Sequence, residues 1–213
     1  MDWLTRALCS SIFKKQFMAL TGLGFCCFLT IHLIGNLFIY GGKDMFNSYV
    51  THLHSLEPLI KLAEAALLIF AVIHISMALI LFFQNLSARP VNYIVKKSSG
   101  GRTFASSTMP YTGLLILIFT IVHLITFKFT DHESFTVFDI ISSTFSQSPY
   151  LIFYIFSVVV VAVHISHGLW SAFQTIGFDH SKYNPIIQGV SIFFSIIIGF
   201  GFGFIPIFII LIS

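Results

Sequence analysis

Charged side chains are scarce in this sequence. Asp, Glu, Lys and Arg make up 9% of the 213 residues, whereas a soluble domain carries about 25%. Hydrophobic residues reach 56%, and 26 residues are phenylalanine, so the composition excludes an ordinary soluble domain and indicates an integral membrane protein. The net charge of +3 is too small to indicate a nucleic-acid partner.

Cysteine is scarce as well, with only Cys9, Cys26 and Cys27 in the chain. Cys26 and Cys27 are neighbours on one predicted helix and point about 100° apart, so the pair predicts neither a disulfide nor a metal clip. The sequence has no C-x-x-C-H. Any heme would therefore be held without thioether bonds, as b-type rather than c-type heme.

Five apolar blocks are each long enough to cross a bilayer, which requires about 20 apolar residues. They cover residues 16–40, 59–84, 110–129, 150–175 and 186–212. We therefore predict an all-α integral membrane protein with five transmembrane helices, as a single membrane domain over residues 1–213. Proline stands at the opening of the last four blocks, at Pro58, Pro110, Pro149 and Pro185, where its missing N–H is tolerated.

Lysine and arginine predict the orientation of these helices. The N-terminal segment and the loops 85–109 and 176–185 together hold eight cationic residues, and the opposite side holds only Lys43, Lys61 and Lys128. By the positive-inside rule the N-terminus is cytoplasmic and the C-terminus lies outside. The segment 134–145 then lies outside too, and its apolar residues predict a short helix along the outer membrane surface.

Four of the predicted helices contain a histidine, at His32, His74, His123 and His164. An imidazole in hydrocarbon is costly and is retained where it has a partner. Counted at 1.5 Å per residue, His32 and His123 lie in the outer half of the membrane, and His74 and His164 lie in the inner half. Two pairs are what two six-coordinate hemes require. We therefore predict that the bundle encloses two b hemes, with His32/His123 at the outer heme and His74/His164 at the inner heme.

Helix packing is the alternative explanation of these histidines. Buried histidines also join helices through hydrogen bonds, but four in matched depth pairs on four helices favour heme. His167 lies one turn after His164 on nearly the same face, so periodicity alone leaves either as the inner ligand, with His167 in any case near the inner heme. The run Gly199, Gly201 and Gly203 lies in an apolar span and predicts close helix packing rather than nucleotide binding.

Three segments carry a resemblance to a known family. They are KKQFMALTGLGFCCFLTIHLIGNL (residues 14–37), GGKDMFNSYVTHLHSLEPL (41–59) and VHISHGLWSAFQTIGF (163–178). From about residue 10 to its end, the chain resembles the cytochrome b membrane-anchor subunit of succinate dehydrogenase and fumarate reductase. More narrowly, it resembles the bacterial five-helix, two-heme type made as one polypeptide. The order of the four helix-borne histidines is the most specific element of this resemblance.

The resemblance implies a function and a set of partners. It implies heme ligation by His32, His74, His123 and His164, which favours His164 over His167 as the inner ligand. It also implies a complex in the bacterial cytoplasmic membrane, part of a respiratory chain. A flavoprotein subunit with covalent FAD would interconvert succinate and fumarate, and an iron–sulfur subunit would pass electrons to the hemes and on to membrane quinone, most often menaquinone in this type.

The resemblance also indicates where proton chemistry is expected. Some fumarate reductases of this type carry a glutamate two residues before the ligand that corresponds to His164, on a transmembrane proton path, whereas this chain has Ala162 there. Quinone chemistry beside the outer heme needs a nearby proton carrier. The candidates for an outer quinone site are Asn47, His52, His54 and Glu64, of which His52 and His54 are predicted to lie in a loop, and Glu64 has snorkelling to the interface as its alternative explanation.

Two other functions compete with this one. A stand-alone transmembrane electron-transfer cytochrome of the b561 kind also spreads four histidine ligands over four helices, but it would have no flavin or iron–sulfur partners. A transporter that uses histidine for metal ions or protons would be colourless. Glu64 is the one acid close inside a predicted span, and no internal inverted repeat is evident, both of which disfavour a transporter.

Overall fold

The structure is a computed structural model that describes residues 10–88, 104–131 and 134–212. Its helices are α1 (Ser11–Leu37), α2 (Lys43–His54), α3 (Glu57–Ser87), α4 (Phe104–His123), α5 (Val137–Phe145), α6 (Ser148–Thr175) and α7 (Asn184–Ile212). A 3-10 turn, Phe38–Gly41, extends α1, and a π-helical turn, Leu124–Lys128, extends α4. No strand occurs in these ranges, so the predicted all-α class is confirmed.

Five of the described helices are long and apolar enough to cross a membrane: α1, α3, α4, α6 and α7. Each contains the predicted block or most of it and extends a few residues beyond at one or both ends. Large apolar side chains on these helices are exposed, among them Leu68 at 67%, Ile152 at 66% and Phe193 at 65%. Surfaces of this kind are expected to face lipid rather than water. The predicted membrane protein with five spans is therefore supported.

Polar caps and prolines fix several of the helix starts. The Ser10 hydroxyl accepts a hydrogen bond from the Phe13 N–H at 3.2 Å and caps α1. Pro58 and Pro149 lie in the first turns of α3 and α6, as predicted. Pro110 is different, because it lies inside α4, six residues after its first described residue. The prediction that Pro110 opens this helix was therefore wrong.

Pro110 interrupts the hydrogen bonding of α4 without ending the helix. Proline lacks an N–H and removes one hydrogen bond of the helix, here the one to the Ser106 carbonyl. Ser107 and Thr108 lie just before it, and their hydroxyls both donate to the Phe104 carbonyl in the preceding turn. The helix continues through Pro110 to His123.

The segment between the first two spans is a helix rather than a loop. Gly42, at a φ of +86°, turns the chain between the 3-10 turn and α2, a conformation that favours glycine. α2 then runs through His52 and His54, so the prediction that these two histidines lie in a loop was wrong. α2 is polar and has only twelve residues, too few to cross a bilayer. It was therefore not among the helices predicted from apolar blocks.

α2 and α5 lie at the same end of the bundle, here called the α2 end. α5 lies within the segment 134–145 where a short surface helix is predicted. Its buried apolar residues contact protein: Phe138, Ile141 and Phe145 pack with Ile39, Phe46, Tyr154, Ile205 and Ile209. Lys43 on α2 also forms an ion pair with Asp139 on α5 at 2.7 Å. Hydrogen bonds from Lys43 lower the pKa of the Asp139 carboxyl.

The orientation of the bundle stays a prediction. Most of the cationic residues that predict it, namely Arg6, Arg89, Lys96, Lys97 and Arg102, lie outside the described residues, as do Cys9 and His132. The two ends can still be distinguished within the bundle. His32 lies five residues before the end of α1 and His123 is the last residue of α4, so both lie towards the α2 end, which is the predicted outer end.

Candidate functional site

His32 on α1 and His123 on α4 face each other near the α2 end. Their ring centres are 6.0 Å apart and their planes are almost perpendicular, at 88°. Two imidazoles that bind one metal ion from opposite sides, at about 2 Å each, have ring centres about 6 Å apart. Phe28 stacks on His32 at 5.1 Å, and Phe119 packs against His123 at 5.6 Å. The distance between the two rings therefore matches that expected for the axial ligands of a single iron.

His74 on α3 and His164 on α6 lie further from the α2 end, 17 and 16 residues after the first residues of their helices. The Nδ1 atom of His74 lies 3.1 Å from the Thr21 hydroxyl and 3.1 Å from the Met18 carbonyl oxygen. The Nδ1 atom of His164 lies 3.0 Å from the Thr112 hydroxyl. Each ring is thus held at one nitrogen by a residue of a neighbouring helix.

The helices that carry each pair are not the helices that pack most closely. α1 packs along α3 and α6, and α4 packs along α6, whereas neither α1 with α4 nor α3 with α6 is a closely packed backbone pair. The His32 and His123 rings therefore approach each other across the bundle, and His74 and His164 lie at a second level. Thr21 and His32 are eleven residues apart on α1, and so are Thr112 and His123 on α4, which separates the two levels by about 16 Å.

An internal repeat, which the sequence reasoning missed, accounts for this geometry. The pattern M-x2-T-G-L-x4-F-x3-H occurs at residues 18–32 on α1 and again at 109–123 on α4. In each copy the threonine contacts a histidine on a neighbouring helix, and the phenylalanine packs against the histidine that ends the pattern on its own helix. The glycine leaves room for the ring: a Cβ at Gly22 would lie 3.4 Å from His74 Cε1, and one at Gly113 would lie 3.6 Å from His164 Cε1.

A second pattern repeats on the other two histidine helices. H-I-S-x2-L-x3-F-Q occurs at residues 74–84 on α3 and at 164–174 on α6. The order α1, α2, α3 thus corresponds to α4, α5, α6, and α7 has no counterpart. His32 corresponds to His123 and His74 corresponds to His164, so each pair joins equivalent positions of the two repeats. In this alignment the counterpart of His167 is Met77, which favours His164 over His167 as the paired residue.

The Nε2 atom of each of these four histidines is available to a ligand. Within the described residues no hydrogen bond reaches Nε2 of His32, His74, His123 or His164. No group of three or more His, Cys, Asp or Glu side chains there forms a site for a metal ion. A six-coordinate heme takes only two axial ligands from the protein. Four histidines supply the number of axial ligands that two six-coordinate hemes would take.

No protein-family model, curated protein or solved structure matches this chain. The family resemblance consequently depends on the three motif segments quoted above.

His167 lies one turn beyond His164, beside the indole of Trp170. Its Nδ1 atom and the Nε1 atom of Trp170 are both buried, and neither makes a hydrogen bond with the described residues. The two rings are 5.4 Å apart and perpendicular. Buried donors of this kind normally have a partner, so this corner is suited to an acceptor on a bound molecule beside the His74/His164 pair.

The four candidates for a quinone site have different contacts. His52 lines a cavity of about 400 Å³ with Phe38, Met45, Ser48 and Tyr49. Asn47 instead holds α5, because its side-chain oxygen accepts the Phe138 N–H at 3.3 Å. Glu64 forms an ion pair with Lys128, the last residue of the π-helical turn that follows His123. His54 is exposed at the end of α2 and does not line the cavity.

The cavity beside His52 lies close to the His32/His123 level. Phe38 lies six residues after His32, a rise of about 9 Å along the helix. The Phe38 ring stacks on Tyr49 at 4.6 Å, in nearly parallel planes. The cavity therefore combines flat aromatic walls with the hydroxyl of Ser48 and the imidazole of His52, on the α2 end of the bundle.

Ala162 lies in an apolar groove between α6 and α7. The groove has a volume of about 410 Å³, and Gly199 and Gly203 line it together with Ala162. A Cβ at Gly199 would lie 3.2 Å from the Ala162 Cβ, so the two helices approach closely there, as the glycine run predicts. Ser166 and Ser195 are the only polar residues of the lining, and their hydroxyls donate to carbonyls of their own helices.

Proposed function

We propose that this chain is the two-heme cytochrome b subunit of a succinate:quinone oxidoreductase. His32 and His123 would ligate the outer heme b, and His74 and His164 the inner heme b. The single observation that carries this proposal is the internal repeat, which places four histidines at two levels as equivalent pairs and brings the His32 and His123 rings to 6.0 Å. The assignment to succinate and fumarate chemistry comes from the resemblance of the motif segments.

Bound heme would supply one-electron transfer, and the protein would set its position and potential. The two histidine levels lie about 16 Å apart along the bundle, so hemes held there would lie at two depths of the membrane. Phe28, Phe119 and Phe202 pack around the His32/His123 pair and keep water from it. His167 and Trp170 offer two buried donors to polar groups at the inner level.

The partners proposed are a flavoprotein subunit with covalent FAD and an iron–sulfur subunit. Both would dock on the cytoplasmic face, the end opposite α2, in the cytoplasmic membrane of a bacterium. Electrons would pass between the iron–sulfur subunit and menaquinone through the inner and outer hemes. Because Ala162 and its apolar groove offer no titratable group at that position, we propose that no proton path follows α6 there.

The test of this proposal is purification of the chain with whatever copurifies from its native membrane. We expect two b hemes per chain in reduced-minus-oxidised optical spectra, together with covalent flavin and iron–sulfur clusters. Two hemes without flavin and iron–sulfur would favour the stand-alone b561-like cytochrome. A colourless protein would contradict both and favour a transporter.

The quinone site proposed is the cavity beside His52. We expect His52→Ala to lower quinone reduction by succinate at least several-fold while both hemes stay bound, because the cavity would lose its proton carrier. His54→Ala is the matched control, since His54 is an exposed histidine on the same helix outside the cavity. Equal quinone reductase activity in the two variants would place the quinone elsewhere.

A further inference from the structure

We propose that Thr21 and Thr112 are positioning residues, which hold His74 and His164 with the proton on Nδ1 and leave Nε2 free for iron. The inference rests on the proposed function, since heme is the ligand that Nε2 would bind. It goes further because it names the groups that prepare the inner ligands. A neutral imidazole carries one proton, and the hydrogen bond at one nitrogen decides which nitrogen can bind a metal.

The contacts of His74 decide its tautomer without any ligand. The Met18 carbonyl oxygen, 3.1 Å from Nδ1, is only an acceptor. The Thr21 hydroxyl, also 3.1 Å from Nδ1, lies 2.8 Å from the Phe17 carbonyl of its own helix and donates its proton there. Its oxygen is then left to accept from His74. Nδ1 therefore carries the proton, and Nε2 presents its lone pair.

His164 has the same arrangement with one contact fewer. The Thr112 hydroxyl lies 3.1 Å from the carbonyls of Thr108 and Met109 and 3.0 Å from His164 Nδ1. When its proton goes to a carbonyl, its oxygen accepts from Nδ1, as at Thr21. Thr112 is the only hydrogen-bond partner of His164 within the described residues. Because Thr21 and Thr112 are equivalent in the repeat, the chain uses this arrangement twice at one level.

The outer pair, His32 and His123, lacks this hydrogen bond from Nδ1 to an acceptor. The Nδ1 atom of His123 is buried and has no partner in the described residues. The Nδ1 atom of His32 faces the Asn36 side-chain nitrogen, a donor, at 3.4 Å, while that nitrogen donates to the His32 carbonyl at 2.8 Å. No acceptor therefore fixes the proton on Nδ1 in the outer pair. Among the described residues, an acceptor that fixes the proton on Nδ1 is therefore found at the inner pair and not at the outer pair.

The two threonines are expected to differ in importance. Loss of a partner behind a metal ligand typically costs 10–100-fold in metal affinity. Thr112→Val leaves the Nδ1–H of His164 without an acceptor, so we expect the affinity for the inner heme to fall about 10–100-fold. Thr21→Val leaves the Met18 carbonyl in place behind His74, so we expect a smaller loss. The less electron-rich ligand should also raise the reduction potential of the inner heme.

The experiment compares hydroxyl-deleted variants of the whole complex. The variants are Thr112→Val, Thr21→Val and Thr112→Ser, which retains the hydroxyl. Thr120→Val and Thr30→Val are matched controls on the same two helices, since those exposed hydroxyls donate only to the carbonyls of Ile116 and Cys26. The readouts are the heme-to-flavin ratio, the midpoint potential of each heme in a redox titration, and retention of the outer heme as the measure of folding.

The expected result is a raised potential or partial loss of the inner heme in Thr112→Val, a weaker effect in Thr21→Val, and recovery in Thr112→Ser. Inner-heme occupancy and potential equal to those of Thr120→Val would overturn the inference and leave the proposed function intact. A Thr112→Ser variant that behaves like Thr112→Val would overturn it as well, since packing rather than the hydroxyl would then matter. A wild-type complex without heme would overturn both proposals.

Discussion

His74→Ala is expected to remove the inner heme and leave the outer heme in place. A six-coordinate b heme has only its two axial bonds and its packing to retain it, so loss of one imidazole at a site without thioether links releases it or leaves it five-coordinate. The spectrum of the purified complex should lose one of two b-type signals, and the heme-to-flavin ratio should fall to about half. His164→Ala should have the same effect on the same heme.

The outer pair gives the complementary result. His32→Ala and His123→Ala should both remove the outer heme, because their rings lie 6.0 Å apart around one site, and both should spare the inner heme. His167→Ala is the most informative control, since it lies one turn from His164 and is not equivalent to His74 in the repeat. It should retain both hemes, with a shift in the inner one only. Removal of different hemes by His32→Ala and His123→Ala would show that the pairs are wrong.

The five spans were predictable because each is a long apolar run, and lipid imposes that composition on the whole length of a helix. Their ends were less predictable. α1 begins at Ser11 rather than near residue 16, because Ser10 caps it and a helix continues through Lys14 and Lys15 into the polar interface. α2 was missed because it is short and polar. The π-helical turn after His123 has no sequence signal that we recognise.

The histidine pairs were predicted from depth alone, whereas the threonines that contact His74 and His164 were not predicted. Depth counting places a residue along the membrane normal and gives no information on which neighbouring helix it meets. The contacts of Thr21 with His74 and of Thr112 with His164 depend on how α1 packs on α3 and α4 on α6. The signal that could have found them was the pattern M-x2-T-G-L-x4-F-x3-H, since a threonine repeated eleven residues before a ligand histidine in both halves indicates a shared role.

Gly201→Val is expected to destabilise the bundle and to affect the outer heme more than the inner one. Gly201 lies on α7 where that helix meets α1. A Cβ there would lie 2.7 Å from Leu33 Cδ2 and 3.3 Å from its branch point Cγ. Leu33 is 6% exposed and packs with Ile165, Leu169 and Ile198, so it has little room to move. Overpacking of this kind costs about 1–3 kcal/mol.

The selectivity for the outer heme follows from the neighbours of Gly201. Leu33 follows His32 in the sequence, and Phe202, next to Gly201, packs against the His32 ring at 5.4 Å. A valine that pushes α7 away from α1 therefore moves both the backbone beside one outer ligand and an aromatic ring that covers it. His74 and His164 lie at the other level, where threonines of α1 and α4 hold their rings, so the inner heme should be spared.

Gly189→Val is the matched control on the same helix, because no heavy atom lies within 4 Å of a Cβ at that position. Both variants exchange a helical glycine for the same β-branched residue, so the intrinsic change in helix propensity is shared. The measurement is thermal denaturation of the complex followed through the absorbance of each heme. Gly201→Val should release the outer heme at a lower temperature than Gly189→Val does. Equal release temperatures would mean that α7 does not support the outer ligand, and that α1 and α4 alone hold His32 and His123 in place.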